Sequence, residues 1–242
     1  MEVADIIASG ALELGIPLPP STCQAFETYY TLLEQCGENT NLTAISGEDE
    51  VAKMHFLDSL AVLKAADFKK TRVIDIGSGA GLPGVPIKLA EPSIDITLLD
   101  ATGSKIAFLS DLSATLDIAA TCIHARAEEL SRTAEKREHY DIAVARAVAR
   151  LDVLCELCLP FVRVGGLFLA MKSIEFATEL DKALDAAQIL GAIPVKPVTY
   201  TIPGTEIDRC VLVFKKIVAT PSEYPRRYAR IKKIPINRKN ST

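Results

Sequence analysis

A glycine-rich loop that follows an acidic residue is the part of this sequence best suited to chemistry. The stretch from Arg72 to Gly84 reads RVIDIGSGAGLPG, in which a β-branched apolar run leads through Asp75 into closely spaced glycines. Glycine has no Cβ and tolerates positive φ, so the backbone of Gly77, Gly79 and Gly81 can approach a ligand closely. The pattern predicts a strand, a tight turn and a helix, with a ligand lying over the turn.

The spacing of the glycines indicates which ligand this is. A dinucleotide-binding loop has glycines at its first, third and sixth positions. Counted from Gly77, the sixth position is Leu82, and the sequence contains no GKS or GKT of a nucleoside-triphosphate loop. Gly-x-Gly-x-Gly with Asp75 two residues ahead is typical of Rossmann-like methyltransferases that use S-adenosylmethionine (SAM). We therefore expect Asp75 and the three glycines to bind SAM.

A second acidic residue lies one strand-helix-strand unit further along the chain. Ile94 to Leu99, IDITLL, has the pattern of a strand and is followed by Asp100. In nucleotide-binding sheets the acid at this place accepts hydrogen bonds from ribose hydroxyls. We predict that Asp100 is the ribose ligand. The alternative, a glycine turn and a surface acid without a ligand, is disfavoured because the two features occur in register.

The bulk composition is that of a globular α/β protein. The chain has 242 residues, of which 49% are hydrophobic, enough to bury a full core in one domain. It has no apolar run of about 18 residues, and its first residues, MEVADIIASG, lack the basic start of a secretory signal. We expect a soluble, cytoplasmic, monomeric protein without a membrane partner.

The six cysteines fit reduced thiols better than disulfides. Cys155 and Cys158 form the single C-x-x-C, whereas a structural zinc site would need a second pair at similar spacing. We interpret the pair as apolar positions on one helix face and expect no bound metal. Redox or metal chemistry at this pair is the less favoured alternative.

The C-terminal segment is strongly basic. Nine of the 27 lysines and arginines, but only one of the 31 acidic residues, lie in residues 215–242. Tyr224 and Tyr228 are interleaved with these cations, an arrangement that suits phosphate contacts beside stacking surfaces. Composition leaves two interpretations open, an RNA-binding arm and a frayed, solvated terminus.

Helical and strand patterns divide the chain into three parts. Residues 1–66 are predicted to be a helical extension, 67–217 a SAM-binding core, and 218–242 a basic tail. In the core, strand patterns alternate with helical ones, which specifies a doubly wound parallel sheet with ligands at the carboxyl ends of its strands. Two final strand patterns, Ile193 to Tyr200 and Cys210 to Ile217, predict an antiparallel hairpin. We therefore predict a mostly parallel, seven-stranded Rossmann-like sheet of the class I SAM methyltransferases.

Several separated segments together resemble the 16S ribosomal RNA guanine-N7 methyltransferase family, also known as glucose-inhibited division protein B. The resemblance covers most of the chain. Its carriers are Asn41-Leu42-Thr43, His55-Phe56-Leu57-Asp58-Ser59, the IDIGSGAGLPGVP block, Leu98-Leu99-Asp100, Arg126-Ala127-Glu128-Glu129, Arg146-Ala147, Met171-Lys172 and Tyr224-Pro225-Arg226-Arg227.

The resemblance implies that SAM donates a methyl group to the N7 of a guanosine in 16S ribosomal RNA, or in the small ribosomal subunit. By position it implies that Gly77 and Leu82 contact SAM, that Ala127 and Glu128 frame its adenine, and that Arg146 closes the site. Guanine N7 carries an in-plane lone pair, and its methylation releases no proton. Positioning can therefore supply most of the catalysis, without a general base.

Arg146 and His55 are the predicted catalytic residues. Arg146 follows the fourth predicted strand, where ligands bind in such sheets. Spacing alone favours His55 as a packed imidazole bonded to a neighbour such as Asp58, and the resemblance shifts it toward shaping the substrate side of the site. Arg126, Arg150 and Lys172 are weaker candidates: Arg126 and Arg150 for phosphate contacts or surface charges, Lys172 for facing either RNA or solvent.

Three other functions remain as alternatives. A SAM methyltransferase acting on a small molecule or a protein would keep the cofactor site and make the basic tail incidental. A nonenzymatic, ribosome-associated SAM-binding module would keep the fold without turnover. A nicotinamide oxidoreductase is disfavoured because Leu82 stands where the third glycine belongs.

Overall fold

The computed structural model describes residues 2–40, 42–43 and 45–236, without the side chains of residues 37–40 and 176–178. Asn41, Arg238 and Lys239, which the sequence patterns single out, lie outside the described residues. Within the described ranges, no helix is both long enough and apolar enough to cross a membrane.

Seven strands of the described chain form one sheet, in the order β3-β2-β1-β4-β5-β7-β6. The first five pair in parallel, and β7 is antiparallel to both β5 and β6. This confirms the predicted Rossmann-like sheet with its antiparallel hairpin. The strands are β1 (Arg72–Ile76), β2 (Asp95–Asp100), β3 (Ala120–His124), β4 (Tyr140–Arg146), β5 (Val162–Ser173), β6 (Ala192–Thr201) and β7 (Asp208–Lys216).

Both faces of the sheet are covered, because successive side chains of a strand point to opposite faces. In β5, Leu169 belongs to the core on one face, while Phe168 and Ala170 belong to the core on the other. A strand buried on both faces has a continuous apolar pattern rather than an alternating one. This burial explains the apolar runs in the sequences of the central strands.

The helices fall into two layers. On one face lie α1 (Val3–Glu13), α2 (Pro20–Thr40), α3 (Glu48–Val51), a π-helical segment (Ala52–Leu57), α4 (Asp58–Leu60), a 3-10 segment (Ala61–Ala65), α5 (Gly84–Ala90) and α6 (Gly103–Thr115). The other face carries α7 (Ala127–Leu130), α8 (Leu151–Cys158), α9 (Ala177–Ile189) and α10 (Tyr228–Lys233).

The N-terminal helices share a core with the sheet. The rings of Phe26 and Phe56 lie 5.1 Å apart, and both are fully buried. The hydroxyl of Tyr29 in α2 donates a hydrogen bond to the carbonyl of Ala80, in the glycine loop. The predicted extension therefore packs directly on the element that was predicted to bind the cofactor.

Two helix boundaries differ from the sequence patterns. Serine is a preferred N-cap residue, so Ser21 in the sequence favours a helix that begins at Thr22, but α2 already begins at Pro20, whose fixed φ suits the first position of a helix. Residues 127–135, AEELSRTAE, have a helical pattern, but the helix there ends at Leu130. There the hydroxyl of Thr133 donates to the carbonyl of Leu130 at 3.0 Å, and a side chain that satisfies a helix-end carbonyl favours termination.

Cys155 and Cys158 lie on α8 and are fully buried with free thiols. Burial raises the pKa of both thiols, so neither is a ready nucleophile. The structure thus confirms that these positions belong to the apolar face of a helix.

The described part of the C-terminal tail is folded onto the sheet domain. Arg226 donates to Glu156 of α8 through Nε at 2.9 Å and through a terminal nitrogen at 2.6 Å. Glu156 is fully buried, and the side chain of Arg226 is 13% exposed. Ile231 and Ile236 of the tail are buried in the same core. Up to Ile236 the terminus is therefore not frayed.

Arginines of the domain also hold the tail backbone. Arg132 donates to the carbonyls of Glu223 and Pro225, and Arg137 donates to that of Tyr224 at 2.9 Å. Such charge-assisted hydrogen bonds are stronger than neutral ones. The segment that precedes α10 is consequently fixed, and Arg226 is committed to Glu156 rather than free for a phosphate.

We expect Arg226→Ala to lower the free energy of unfolding by about 3 kcal/mol, because it leaves the Glu156 carboxylate buried without its partner. Urea denaturation followed by circular dichroism measures the change. Arg227→Ala, at the exposed neighbouring position, is the matched control and should change the stability by less than about 0.5 kcal/mol. Equal stabilities of the two variants would contradict the anchoring role of Arg226.

Candidate functional site

The loop between β1 and α5 is held from inside the protein. The N–H groups of Gly77 and Ser78 both donate to the carbonyl of Leu99, at 2.8 and 3.0 Å. The N–H of Gly79 donates to Oδ2 of Asp100 at 3.0 Å. A phosphate-binding loop points such N–H groups at its ligand, whereas here they are already used. This geometry agrees with a cofactor that places no phosphate on the loop.

The glycines of the loop have different roles. A Cβ on Gly79 would have only the carbonyl oxygen of Gly77 near it, at 3.8 Å, so this position faces open space. A Cβ on Gly81 would lie 2.6 Å from the hydroxyl oxygen of Tyr29. Gly77 and Gly79 line the cavity described below, but Gly81 is not in its lining. The structure therefore places Gly81 where it permits close packing of α2.

Asp75 lies beneath the loop. It is fully buried, and its Oδ2 accepts a hydrogen bond at 2.9 Å from the N–H of Gly84, at the start of α5. Its Oδ1 has no partner in the described structure, and burial raises the pKa of this carboxyl to about 7. Asp75 is not in the lining of the cavity. It holds the loop against α5 from behind.

Asp100 stands at the carboxyl end of β2 and faces the cavity. Its Oδ1 accepts from the N–H of Thr102 at 2.9 Å, and its Oδ2 accepts from Gly79. Each carboxylate oxygen has a second lone pair for a further donor. Asp100 is thus fixed at both oxygens and remains able to accept from a ribose hydroxyl.

Three adjoining cavities run along the carboxyl ends of the strands. The central one, about 550 Å³, contains Leu82 and Lys105 in its wall. It shares four wall residues with a cavity of about 100 Å³ on one side: Gly77, Asp100, Ala101 and Val148. It shares another four with a cavity of about 310 Å³ on the other side: Ile45, His55, Arg146 and Ala147. We call these the central, inner and outer cavities.

The inner cavity brings together residues that follow β2 and β3. Ala127 and Glu128, at the start of the helix that follows β3, line this cavity together with Asp100, at the end of β2. Glu128 is 8% exposed, and among the described residues its carboxylate has no hydrogen-bond or ion-pair partner, while its oxygens are not fully shielded from solvent. The carboxylate is therefore open to the cavity and can accept a hydrogen bond from a ligand.

Arg146 occupies the wall between the central and outer cavities. One terminal nitrogen donates to Oδ2 of Asp58 and to the carbonyl of Met54, each at 3.0 Å. The other lies 3.2 Å from Nδ1 of His55, and Nε2 of His55 lies 2.5 Å from the hydroxyl of Thr43. Nδ1 also lies 3.2 Å from the carbonyl oxygen of Met54, so the imidazole is held at both of its nitrogens.

His55 is held neutral. Burial and the charge of Arg146 together lower its pKa from 6.5 to about 4. The expected bond from His55 to Asp58 is not formed, since Asp58 binds Arg146 and, through Oδ1 at 2.8 Å, the hydroxyl of Tyr200. The imidazole is therefore a fixed part of the cavity wall rather than a general base.

Other candidates differ in where they lie. Arg126 lines the inner cavity and Lys172 lines the outer one, whereas Arg150 binds Asp152 at 2.7 Å. Tyr200 and Arg209 of the hairpin also line the outer cavity. The sequence patterns placed both in or beside strands, but no local signal showed that the antiparallel hairpin carries them to this edge.

The neutral state of His55 predicts a pH dependence of stability. His55 binds a proton less tightly in the folded protein than in the unfolded one, so protonation favours unfolding as the pH falls from about 6.5 to about 4. Over that range we expect the wild type to lose about 3 kcal/mol relative to His55→Gln. Urea titrations of both proteins at several pH values measure the difference. Parallel stability curves would contradict the neutral assignment.

Among the described residues, no group of three or more His, Cys, Asp and Glu is placed to hold a metal ion.

Solved structures share the architecture of the sheet domain. TYW2 of M. jannaschii, solved in complex with AdoMet, superposes with a TM-score of 0.51 over 66% of this chain and 77% of that one, at 13% identity. TrmN from Thermus thermophilus gives a TM-score of 0.50 over 66% of this chain and 48% of that one, at 19% identity. At these identities the likeness establishes the fold.

Sequence comparison goes further than the fold. The family model for rRNA small subunit methyltransferase G, called GidB, matches residues 22–205. The ribosomal RNA small subunit methyltransferase G of Alkaliphilus oremlandii is 41% identical, over 98% of this chain and all of its own. That of Pelotomaculum thermopropionicum is 43% identical, over 93% of this chain and 95% of its own. The chain therefore belongs to the rRNA small subunit methyltransferase G family and is a SAM-dependent methyltransferase.

Proposed function

We propose that this enzyme methylates the N7 of a guanosine in 16S ribosomal RNA, with SAM in the central and inner cavities and the target base in the outer one. The observation that carries the proposal is the position of Arg146, in the one wall that the central and outer cavities share. A side chain in this wall can contact SAM on one side and the target base on the other. Methyl transfer requires such contacts, because donor and acceptor must be held next to each other.

The residues around the central and inner cavities fit SAM. Asp100 offers acceptor sites for the ribose, and the unpartnered carboxylate of Glu128 offers one for an amine of the adenine. Gly79 leaves room over the loop, Gly77 lines the cavity in close contact with the side chain of Val148, and Leu82 adds an apolar wall. When bound, SAM supplies an electrophilic methyl group on its sulfonium. Asp75 and Gly81 act indirectly, by fixing the loop from behind.

The outer cavity suits an RNA nucleotide. Arg146 and Arg209 outnumber the carboxylate of Asp58 in its wall, where His55 is neutral and Lys172 is paired with Glu179 at 2.9 Å. Such an excess of positive charge attracts phosphate. Met171, Tyr200 and Ile45 add apolar and aromatic surface on which an unstacked base can lie.

The protein residues around this wall position groups rather than move protons. Guanine N7 already has a lone pair, so no side chain has to remove a proton from it. Arg146 is fixed by three acceptors, and His55 is fixed by Thr43 and Arg146. Rigid placement of two reactants can lower a barrier by several kcal/mol.

The test is transfer of labelled methyl from SAM to 16S RNA and to small ribosomal subunits that lack their own guanine-N7 methylation. We expect label in 7-methylguanosine after nucleoside digestion. Arg146→Ala should lower kcat by about a hundredfold, because the side chain that holds the wall between the central and outer cavities is lost and the two reactants are no longer rigidly placed. Arg163→Ala is the control. Arg163 lies at the amino end of β5, whereas Arg146 pairs with Met171 near the carboxyl end of that strand, so this variant should keep wild-type turnover.

Other outcomes would decide between the alternatives. Label in another nucleoside would overturn the choice of N7. SAM binding without transfer to either RNA would favour a methyltransferase of a small molecule or protein, or a nonenzymatic module. Transfer to subunits but not to naked RNA would identify the assembled particle as the substrate.

The outer cavity is tested separately. Arg209→Gln should raise the KM for RNA about tenfold and reduce the slope of log KM against log salt by about one, as expected for one lost phosphate contact. The affinity for SAM should stay unchanged. Lys215→Gln is a matched control, since Lys215 is exposed at the far end of the same strand. Equal effects of the two changes would remove the outer cavity from the proposal.

A further inference from the structure

The C-terminal tail reaches the inner cavity. Tyr228, the first residue of α10, lies in the wall of that cavity together with Arg126, Ala127 and Glu128. Its ring lies 5.7 Å from the Arg126 guanidinium, measured to the ring centroid. The basic composition of this segment suggests an RNA-binding arm, but its first aromatic residue after the anchor faces the cofactor side of the domain.

We propose that Tyr228 is a cofactor-binding residue that forms one wall of the adenine subsite, so that the folded tail is a working part of the SAM site. The proposal rests on the proposed function for its assignment of the inner cavity to adenine. An aromatic ring and a guanidinium offer flat surfaces to a base. Beside them, the unpartnered carboxylate of Glu128 offers the acceptor that an exocyclic amine needs.

The position of Tyr228 is set by contacts on both sides of it. Two residues earlier, Arg226 is bonded to the buried Glu156. Three residues later, Ile231 is fully buried in the core that α8 belongs to. A side chain held between two such anchors loses little freedom when a ligand arrives, and preorganisation of this kind strengthens binding. The tail anchors therefore act on the cofactor site through Tyr228.

A role confined to covering the core would not account for this arrangement. Tyr228 packs against the same core as Ile231 and Ile236, but those two side chains are almost fully buried. Tyr228 in contrast is partly exposed, at the boundary of a cavity that Asp100 and Ala101 also line. If Tyr228 only covered the core, no cavity would be expected between its ring and the loops that follow β2 and β3.

The experiment compares Tyr228→Ala, Tyr228→Phe and Arg230→Ala by calorimetric titration with S-adenosylhomocysteine and with 5′-methylthioadenosine. Tyr228→Ala should raise the Kd for both ligands about tenfold, the loss expected for one aromatic contact with a base. Tyr228→Phe should stay within about twofold of wild type, because it keeps the ring. Arg230→Ala changes an exposed residue of the same helix and should bind as wild type does.

The second ligand makes the result specific. 5′-Methylthioadenosine lacks the amino-acid part, so an equal loss for both ligands assigns the effect to the adenosine end. An unchanged Kd in a folded Tyr228→Ala protein would overturn the proposal while leaving the proposed function intact. Failure of the wild type to bind either ligand would overturn the proposed cofactor site itself.

A measurement on the wild type covers the case in which Tyr228→Ala does not fold. S-Adenosylhomocysteine should slow amide hydrogen exchange in residues 228–233 as well as in the glycine loop. Slower exchange in the loop alone would show that the ligand does not reach the tail, and the proposal would fail.

Discussion

The site depends on the parallel pairing of β1 with β2. This pairing sets Leu99 and Asp100 beside the glycine loop, where they accept the N–H groups of Gly77, Ser78 and Gly79. Buried backbone donors need partners, and here the neighbouring strand end supplies all three. The loop can therefore stay in one conformation without a phosphate, and the face it presents is shaped before a cofactor binds.

A second group of contacts joins parts of the chain that are far apart in sequence. The carboxylate of Asp58 accepts from Arg146 of β4 and from Tyr200 of β6, and Arg209 of β7 lies 4.0 Å away. Asp58 itself belongs to the N-terminal helices. A buried carboxylate with several donors is stable only when all of them are in place. The N-terminal extension is consequently a structural part of the outer cavity, not an addition to it.

Much of this arrangement could be predicted because it is encoded locally. The glycine spacing, the acids at Asp75 and Asp100, and the alternation of strands and helices each follow from neighbouring residues, and the fold they indicate is the one observed. Long-range packing could not be read in the same way. Gly81 was predicted to meet a ligand, but it meets Tyr29, more than fifty residues earlier in the chain.

The basic tail shows that composition alone does not predict which charges of a segment are paired in the folded protein. Composition counts Arg226 as one more cation, but Glu156, 70 residues away in sequence, neutralises it in the folded protein. Tyr228 was interpreted with its basic neighbours as a surface for RNA, and the fold turns it to the inner cavity. Net charge describes a segment before it folds. Which of its charges remain available to a partner depends on contacts that only the tertiary structure creates.

Two carboxyl groups that lack a full set of protein partners differ in what they can do for a ligand. Asp75 lies behind the loop, away from the cavity lining, and its pKa of about 7 allows a proton to remove its charge. Glu128 lies in the cavity wall without a protein partner, and its carboxylate oxygens are not fully shielded from solvent. A ligand can therefore donate a hydrogen bond to Glu128 without any contact inside the protein being broken. Asp75 thus stabilises the loop from behind, whereas Glu128 favours a ligand with a donor at that place.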